Sequence, residues 1–222
     1  MANLSLSTES ISTLSSEISE FGRSRSGSFS TTMSDDEDQD HFVHDAAASV
    51  YDSLRDGVTS DVVQLELVSL RMTANASDHQ VRRAVVSAFM KRIQQLMDGG
   101  KGASEAIREI FGKYKEIVER SLFDRDSDEK PDQVDLLVLL QQDLAHRSRG
   151  DTVMLFTAKE LYDLEIVEEE AYEQWWADER SSSTEEMRQV RSQSQQFVDW
   201  LANAEEEESS EEEESDEDED DE

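Results

Sequence analysis

The 222-residue chain has no cysteine, which excludes disulfide stapling, thiolate catalysis and cysteine-rich metal sites. No stretch approaches the ~18 consecutive apolar residues of a membrane span, and the N-terminus lacks the basic-then-apolar layout of a signal peptide. The default location is therefore the cytoplasm. Basic residues are scarce: 21 Lys and Arg face 54 Asp and Glu, for a net charge of −33. Phosphate-bearing ligands would be repelled, so neither nucleic acid nor a membrane surface is expected as a partner, whereas a basic protein is. Strand-like alternation is also missing.

The charge is unevenly spread. Residues 205–222 hold 15 acidic residues and three serines with no apolar side chain, and residues 1–40 hold eight acidic residues and 12 serines. Both ends have too little apolar surface to offset their ordering entropy. They read as a disordered Ser-rich acidic linker (1–40) and a disordered acidic tail (205–222) flanking one helical domain, 41–204.

Inside that domain apolar residues recur every three or four positions, which predicts helices. The first runs from about His41 to Asp56, with Val43, Ala47, Val50 and Leu54 aligned and Gly57 as its stop. Thr59 or Ser60 caps a second, carrying Val62, Val63, Leu65, Leu67, Leu70 and Met72. Asp78 caps a third, with Val81, Val85, Phe89, Ile93 and Leu96. The fourth follows Ser104, with Ile107, Ile110, Phe111, Tyr114, Ile117 and Val118. Pro131 marks the start of a fifth (Val134, Leu137, Leu140, Leu144). A sixth spans about Thr152–Asp163, a seventh about Glu168–Asp178, and an eighth about Thr184–Ala204 with Met187, Val190, Ser194, Phe197 and Leu201 in register. Eight helices joined by short loops give about four antiparallel hairpins, an all-α, HEAT-like α-solenoid, with a compact irregular bundle as the alternative.

Motifs for bond-making chemistry are weak. The four histidines, His41, His44, His79 and His146, lack zinc-hydrolase spacing, and Gly99-Gly100-Lys101-Gly102 lacks that of a phosphate-binding loop. Asp124, Asp126 and Asp128 imitate the opening of a calcium loop, but Glu129 stands where glycine is needed and Asp135 where a bidentate Glu would close the site. No metal, cofactor or covalent catalysis is expected.

The last third mixes aromatics with carboxylates. Tyr162, Asp163, Glu168, Glu169, Glu170, Trp175 and Trp176 form one box; Phe197, Asp199, Trp200 and Glu205 through Glu208 form another. Successive helical residues point about 100° apart, so burying Trp175 or Trp176 leaves the other near the rim, and Trp200 borders the core. Glu66 falls between Val62 and Leu70 in an apolar arc, while Gln64 and Arg71 take the polar side. A carboxylate there is either paired at the core's edge or set on an apolar surface meant for another protein.

These boxes, the stretch Leu65-Glu66-Leu67-Val68-Ser69-Leu70-Arg71-Met72 and the run from Trp200 into the acidic tail resemble one family over about residues 41–222. It is the C-terminal exchange domain of the epsilon subunit of the guanine-nucleotide exchange factor for eukaryotic initiation factor 2. The resemblance implies a HEAT-like stack that supplies exchange activity without covalent chemistry. It also implies binding to the gamma-subunit GTPase domain and the lysine-rich beta-subunit tail of initiation factor 2. Glu66 matches that family's essential acidic residue and Trp200 its essential tryptophan. The nucleotidyltransferase-like and left-handed β-helical regions of such subunits have no counterpart before residue 41, so the chain is expected to be a C-terminal piece or an incomplete gene model. Assembly with sister subunits would run through that upstream region. Ser209, Ser210 and Ser215 each precede a carboxylate by three residues, a pattern suited to acidophilic kinases. Competing readings are a non-exchanging scaffold of the initiation factor 5 type and a generic acidic chaperone of basic proteins.

Overall fold

The computed structural model describes residues 35–123 and 132–203, with side chains from residue 41 onward. Residues 1–34, residues 124–131 with the calcium-like aspartates, Ala204, Glu205, Glu206, Glu207, Glu208 and the three tail serines lie outside the described residues. The chain is all-α and HEAT-like, and no strand occurs among the described residues.

The helices are α1 (Asp35–Asp56), α2 (Ser60–Ala74), α3 (Asp78–Asp98), α4 (Ala103–Ser121), α5 (Gln133–Ala145), α6 (Gly150–Asp163), α7 (Glu169–Ala177) and α8 (Glu185–Ser192). A short 3-10 turn, Glu179–Ser182, joins the last two. Residues 195–203 form a further helical segment, α9. In the first layer α1 lies against α3 and α3 against α5; in the second, α2 lies against α4, α4 against α6 and α6 against α8. The pairs α1/α2, α3/α4 and α5/α6 close three hairpins.

Local chemistry sets the turns. Gly57 takes φ +76° at the end of α1, a left-handed conformation that favours glycine. Its stop is closed by the Val58 N–H donating to Ser53 O at 3.0 Å. Ser77, rather than Asp78, caps α3: its hydroxyl accepts from the Gln80 N–H while the Gln80 side chain accepts from the Ser77 N–H. At Gly150 an added Cβ would stand 2.2 Å from Leu144 O, so glycine is what lets α6 start directly against the end of α5.

The stripes read from the sequence are buried on α1 (Val43, Ala47, Val50, Leu54) and along the whole of α4 from Ile107 to Val118. Helix α5 is enclosed on nearly every side, from Asp135 through Gln141, because α3, α6, α7 and α8 all pack on it.

Three further expectations change. Helix α1 begins at Asp35, ahead of His41, because periodicity marks where a helix is covered and not where it begins. The eighth helix is broken at residues 193 and 194, yet Met187, Val190, Ser194, Phe197 and Leu201 all stay buried, since the tight turn preserves their spacing. The fourth pair is thus an irregular cap, with α7 resting on α5 and α8 on both α5 and α6. Finally, α2 turns differently. Gln64 is buried instead of facing water, and Val62, Leu65 and Met72 are exposed, because the core lies on the Val63/Leu67 side.

Candidate functional site: an aromatic and acidic end opposite an apolar helix face

Helix α6 and α9 bring the two aromatic/acidic boxes together. Tyr162 meets Tyr172, Phe197 and Trp200 edge-on at ring distances of 6.5, 6.0 and 6.1 Å. Phe197 stacks on Trp200 at 6.1 Å and meets Tyr172 at 5.4 Å. Phe197 and Tyr172 are enclosed, so the cluster is a fixed platform, and the Trp200 indole at its edge is 54% exposed. Burial raises the Tyr172 phenol well above its usual range, and its hydroxyl donates to Ala158 O at 2.7 Å.

Two hollows flank Tyr162. One, about 430 Å³, is lined by Leu155, Lys159, Tyr162, Asp163, Gln193, Gln196, Phe197 and Trp200. The other, about 680 Å³, is rimmed by Asp163, Glu165, Glu168, Glu169 and Glu170. The Tyr162 hydroxyl donates to Glu169 Oε1 at 2.6 Å, which anchors the rim to the platform. Asp163, Glu168, Glu170 and Asp199 are exposed. Five carboxylates beside an exposed indole match the chemistry of a cationic, partly apolar segment, whose ammonium groups would meet the acids and whose methylene stems would lie on the rings.

Tryptophans 175 and 176 divide as the helical geometry predicts. Trp175 is completely enclosed, its indole N–H donating to Gln141 Oε1 at 2.9 Å. Gln141 Nε2 in turn donates to Ser181 O and Met187 O at 2.8 and 2.6 Å. The expectation that Trp175 contacts a partner is corrected: an indole sealed on all sides positions α7, the 3-10 turn and α8 and touches nothing outside. Phe197, nearly enclosed, forms the floor under Trp200 and part of the wall of the hollow beside it. Trp176 is half-buried beneath the Arg191 guanidinium, 4.4 Å from its ring centre. Desolvation, with Arg188 nearby, lowers the Arg191 pKa.

Glu66 lies at the far end of the second layer. Its half-exposed carboxylate accepts from two α1 hydroxyls one helical turn apart, Ser49 and, at 3.3 Å, Ser53. Beside it the exposed stripe of Val62, Leu65 and Met72 faces outward. Glu66 is thus paired at the core's edge and also borders an apolar surface. With α4 between α2 and α6, Glu66 and Trp200 are separated by at least two helix spacings, roughly 20 Å. They cannot share one small site.

One constellation was not read from the sequence. The Arg82 guanidinium, 1% exposed, pairs with Asp135 at 2.5 Å and donates to Ser121 O and Leu122 O at 2.9 and 3.2 Å. His79 Nδ1 stands 2.9 Å from the same carboxylate and Arg180 Nη1 3.3 Å. This node links α3, the end of α4, the start of α5 and the 3-10 turn. The available signal was Asp135 alone at the head of an apolar run. Glu165, exposed with φ +57° on the acidic rim, was also missed.

Comparison with known proteins gives the family. Residues 132–211, from the head of α5 through both boxes, match the family described as W2: eIF4-gamma/eIF5/eIF2-epsilon. The chain therefore carries a helical domain of the W2 class. Over 183 residues, 82% of this chain, it is 33% identical to translation initiation factor eIF2B subunit epsilon of Schizosaccharomyces pombe. Together the two matches define a C-terminal eIF2B-epsilon-like domain in a homologue of a translation initiation factor. The chain spans 26% of the length of that relative.

Proposed function

We propose that this chain promotes GDP release from eukaryotic translation initiation factor 2 in the cytoplasm, gripping the gamma-subunit GTPase domain and the lysine-rich tail of the beta subunit. The observation that carries the reading is the exposed Trp200 indole on a rigid aromatic platform beside five carboxylates. Nothing in it makes or breaks bonds. An exchange factor works by binding the nucleotide-free GTPase more tightly than the nucleotide-bound one, so the surface need only fit the empty state better.

The acidic rim, together with the charge of Glu205, Glu206, Glu207 and Glu208 that follow in the sequence, attracts lysines over a Debye length, raising the encounter rate in a salt-dependent way. Trp200 then docks at contact, while Glu66 and the α2 stripe engage the GTPase domain at a second place. Phosphorylation of Ser209, Ser210 and Ser215 would add roughly −1.5 to −2 charge each and tighten lysine capture. Assembly with sister exchange-factor subunits would run through segments upstream of the helical stack.

The test is GDP release from purified initiation factor 2 by residues 41–222, with Glu66→Ala and Trp200→Ala alongside. Tenfold or greater loss with unchanged helicity is the expected result; near-normal release by both variants rejects the assignment. The W2 family description also names eIF5 and eIF4-gamma, which favours a second reading, a binding scaffold without exchange activity. That reading predicts tight binding to initiation factor 2 and no acceleration of GDP release.

A further inference from the structure

Lys159 is the odd charge at the acidic end. It lines the hollow beside Trp200, with its ammonium 5.9 Å from the centre of the Phe197 ring, within reach of a cation–π contact. Lysine and aspartate four residues apart on a helix are placed to pair, and Asp163 follows Lys159 at that spacing. Among the described residues, however, no carboxylate lies within ion-pair distance of Lys159. By contrast Lys101, Arg108 and Lys115 are each paired, with Glu109, Glu160 and Glu119. The other polar side chains of the Trp200 hollow are Asp163, which also lines the acidic one, Gln193, which donates to Asp151 Oδ2 at 2.6 Å, and Gln196. Neither the Gln196 amide nor the Trp200 indole N–H is engaged among the described residues. A lysine entering this hollow would meet an ammonium already seated over the ring it would use. A carboxylate would meet an ammonium, an amide and an indole, all able to donate.

We propose that the hollow beside Trp200 takes the side-chain carboxylate of an aspartate or glutamate in the partner segment, and that Lys159 is the residue that selects it. On the reading of the acidic hollow as a lysine-capturing surface, on which this assignment rests, the segment accepted here carries an acid close to its lysines. The two hollows meet at Tyr162 and Asp163, so acid and lysines bind on either side of one ring. Two residues of extended chain, roughly 7 Å, span such a step. A lysine on the acidic side neutralises Asp163 and leaves Lys159 as the surplus charge of the Trp200 hollow.

The test is fluorescence anisotropy of the full chain at low salt with amidated peptides. Each is a lysine tract joined through one glycine to a Glu, Gln or Lys, placed after the tract in one set and ahead of it in another. Counting charge against a chain of −33 ranks them Lys, Gln, Glu from tightest to weakest. The expected result reverses the last two in at least one placement, with Glu binding about threefold tighter than Gln, the size of one exposed ion pair. Lys159→Gln should restore the charge order, and Lys159→Glu should give the Lys peptide the largest gain. Both variants should keep the parent's melting temperature, because the side chain is exposed. Charge order in the parent at both placements overturns the assignment and leaves lysine capture standing; no binding of any peptide removes both. A Glu preference that survives Lys159→Gln also overturns it, since another group would then be the receptor. In a further arm Glu205, Glu206, Glu207 and Glu208 are all changed to Gln. A Glu preference that appears only there gives the hollow to the chain's own tail and overturns the partner.

Discussion

The two ends of the second helical layer are built on opposite terms. At α2 the outward face is apolar and one carboxylate is clasped by two serine hydroxyls of α1. At the α6/α9 end Tyr172 and Phe197 are packed inward, Trp200 lies exposed at their edge and carboxylates ring the outside. A ring of charge acts before contact and fades with salt; an apolar stripe acts only at contact and is nearly indifferent to salt. One molecule thus presents a charged surface whose field reaches beyond contact and an apolar stripe that acts only at contact, on helices with α4 between them.

The largest expected effect tests whether the capture end depends on its buried platform. Trp175→Ala removes an enclosed indole and its bond to Gln141, and should cost about 3–5 kcal/mol in urea denaturation, far more than Trp200→Ala. Equal costs for the two would erase the distinction between platform and contact. Next come Glu66→Ala and Trp200→Ala, each expected to slow GDP release about tenfold, equivalent to ~1.4 kcal/mol. Loss at one end only would reduce the pair of surfaces to one.

Reversing Glu168 and Glu170 to lysine should weaken binding of a lysine-rich peptide several-fold at low salt, with the difference vanishing at high salt, since each exposed contact contributes ~0.2–1 kcal/mol. The same change should leave contacts of the α2 stripe untouched, which makes it the cleanest separation of the two ends. The smallest effect concerns Glu160, an enclosed carboxylate on α6. Burial raises its pKa, against the partial opposition of Arg108. A raised pKa means the folded state holds the proton more tightly. Its favourable contribution is full below the ordinary glutamate range and is lost as pH rises through the folded value. Glu160→Gln should therefore flatten that fall, giving slightly higher melting temperatures at neutral pH and no gain in acid.

The long helices could be read directly because α1 and α4 each bury one regular stripe, and the 100° step correctly separated Trp175 from Trp176. What could not be read depended on neighbours. The wheel of α2 carries apolar residues on more than one side, and only the positions of α1 and α4 decide that Val63 and Leu67 face inward while Leu65 faces out. The break before α9 hid because Val190, Ser194 and Phe197 keep helical spacing across it. The Arg82–Asp135 pair spans 53 positions, and no local pattern connects them. At the acidic end the residue types announced themselves by composition, but which aromatics are enclosed and which are exposed was decided by packing.

The ion pair between Arg82 and Asp135 also bears on where this chain may be divided. The W2 match begins at residue 132, between the residue that supplies that guanidinium and the one that accepts it, whereas the 183-residue match to the relative from Schizosaccharomyces pombe spans both. A fragment starting there would keep both boxes but strand a 4%-exposed carboxylate with only the half-exposed Arg180 within reach. The bounds of the W2 match therefore do not coincide with the packed unit that this ion pair ties together.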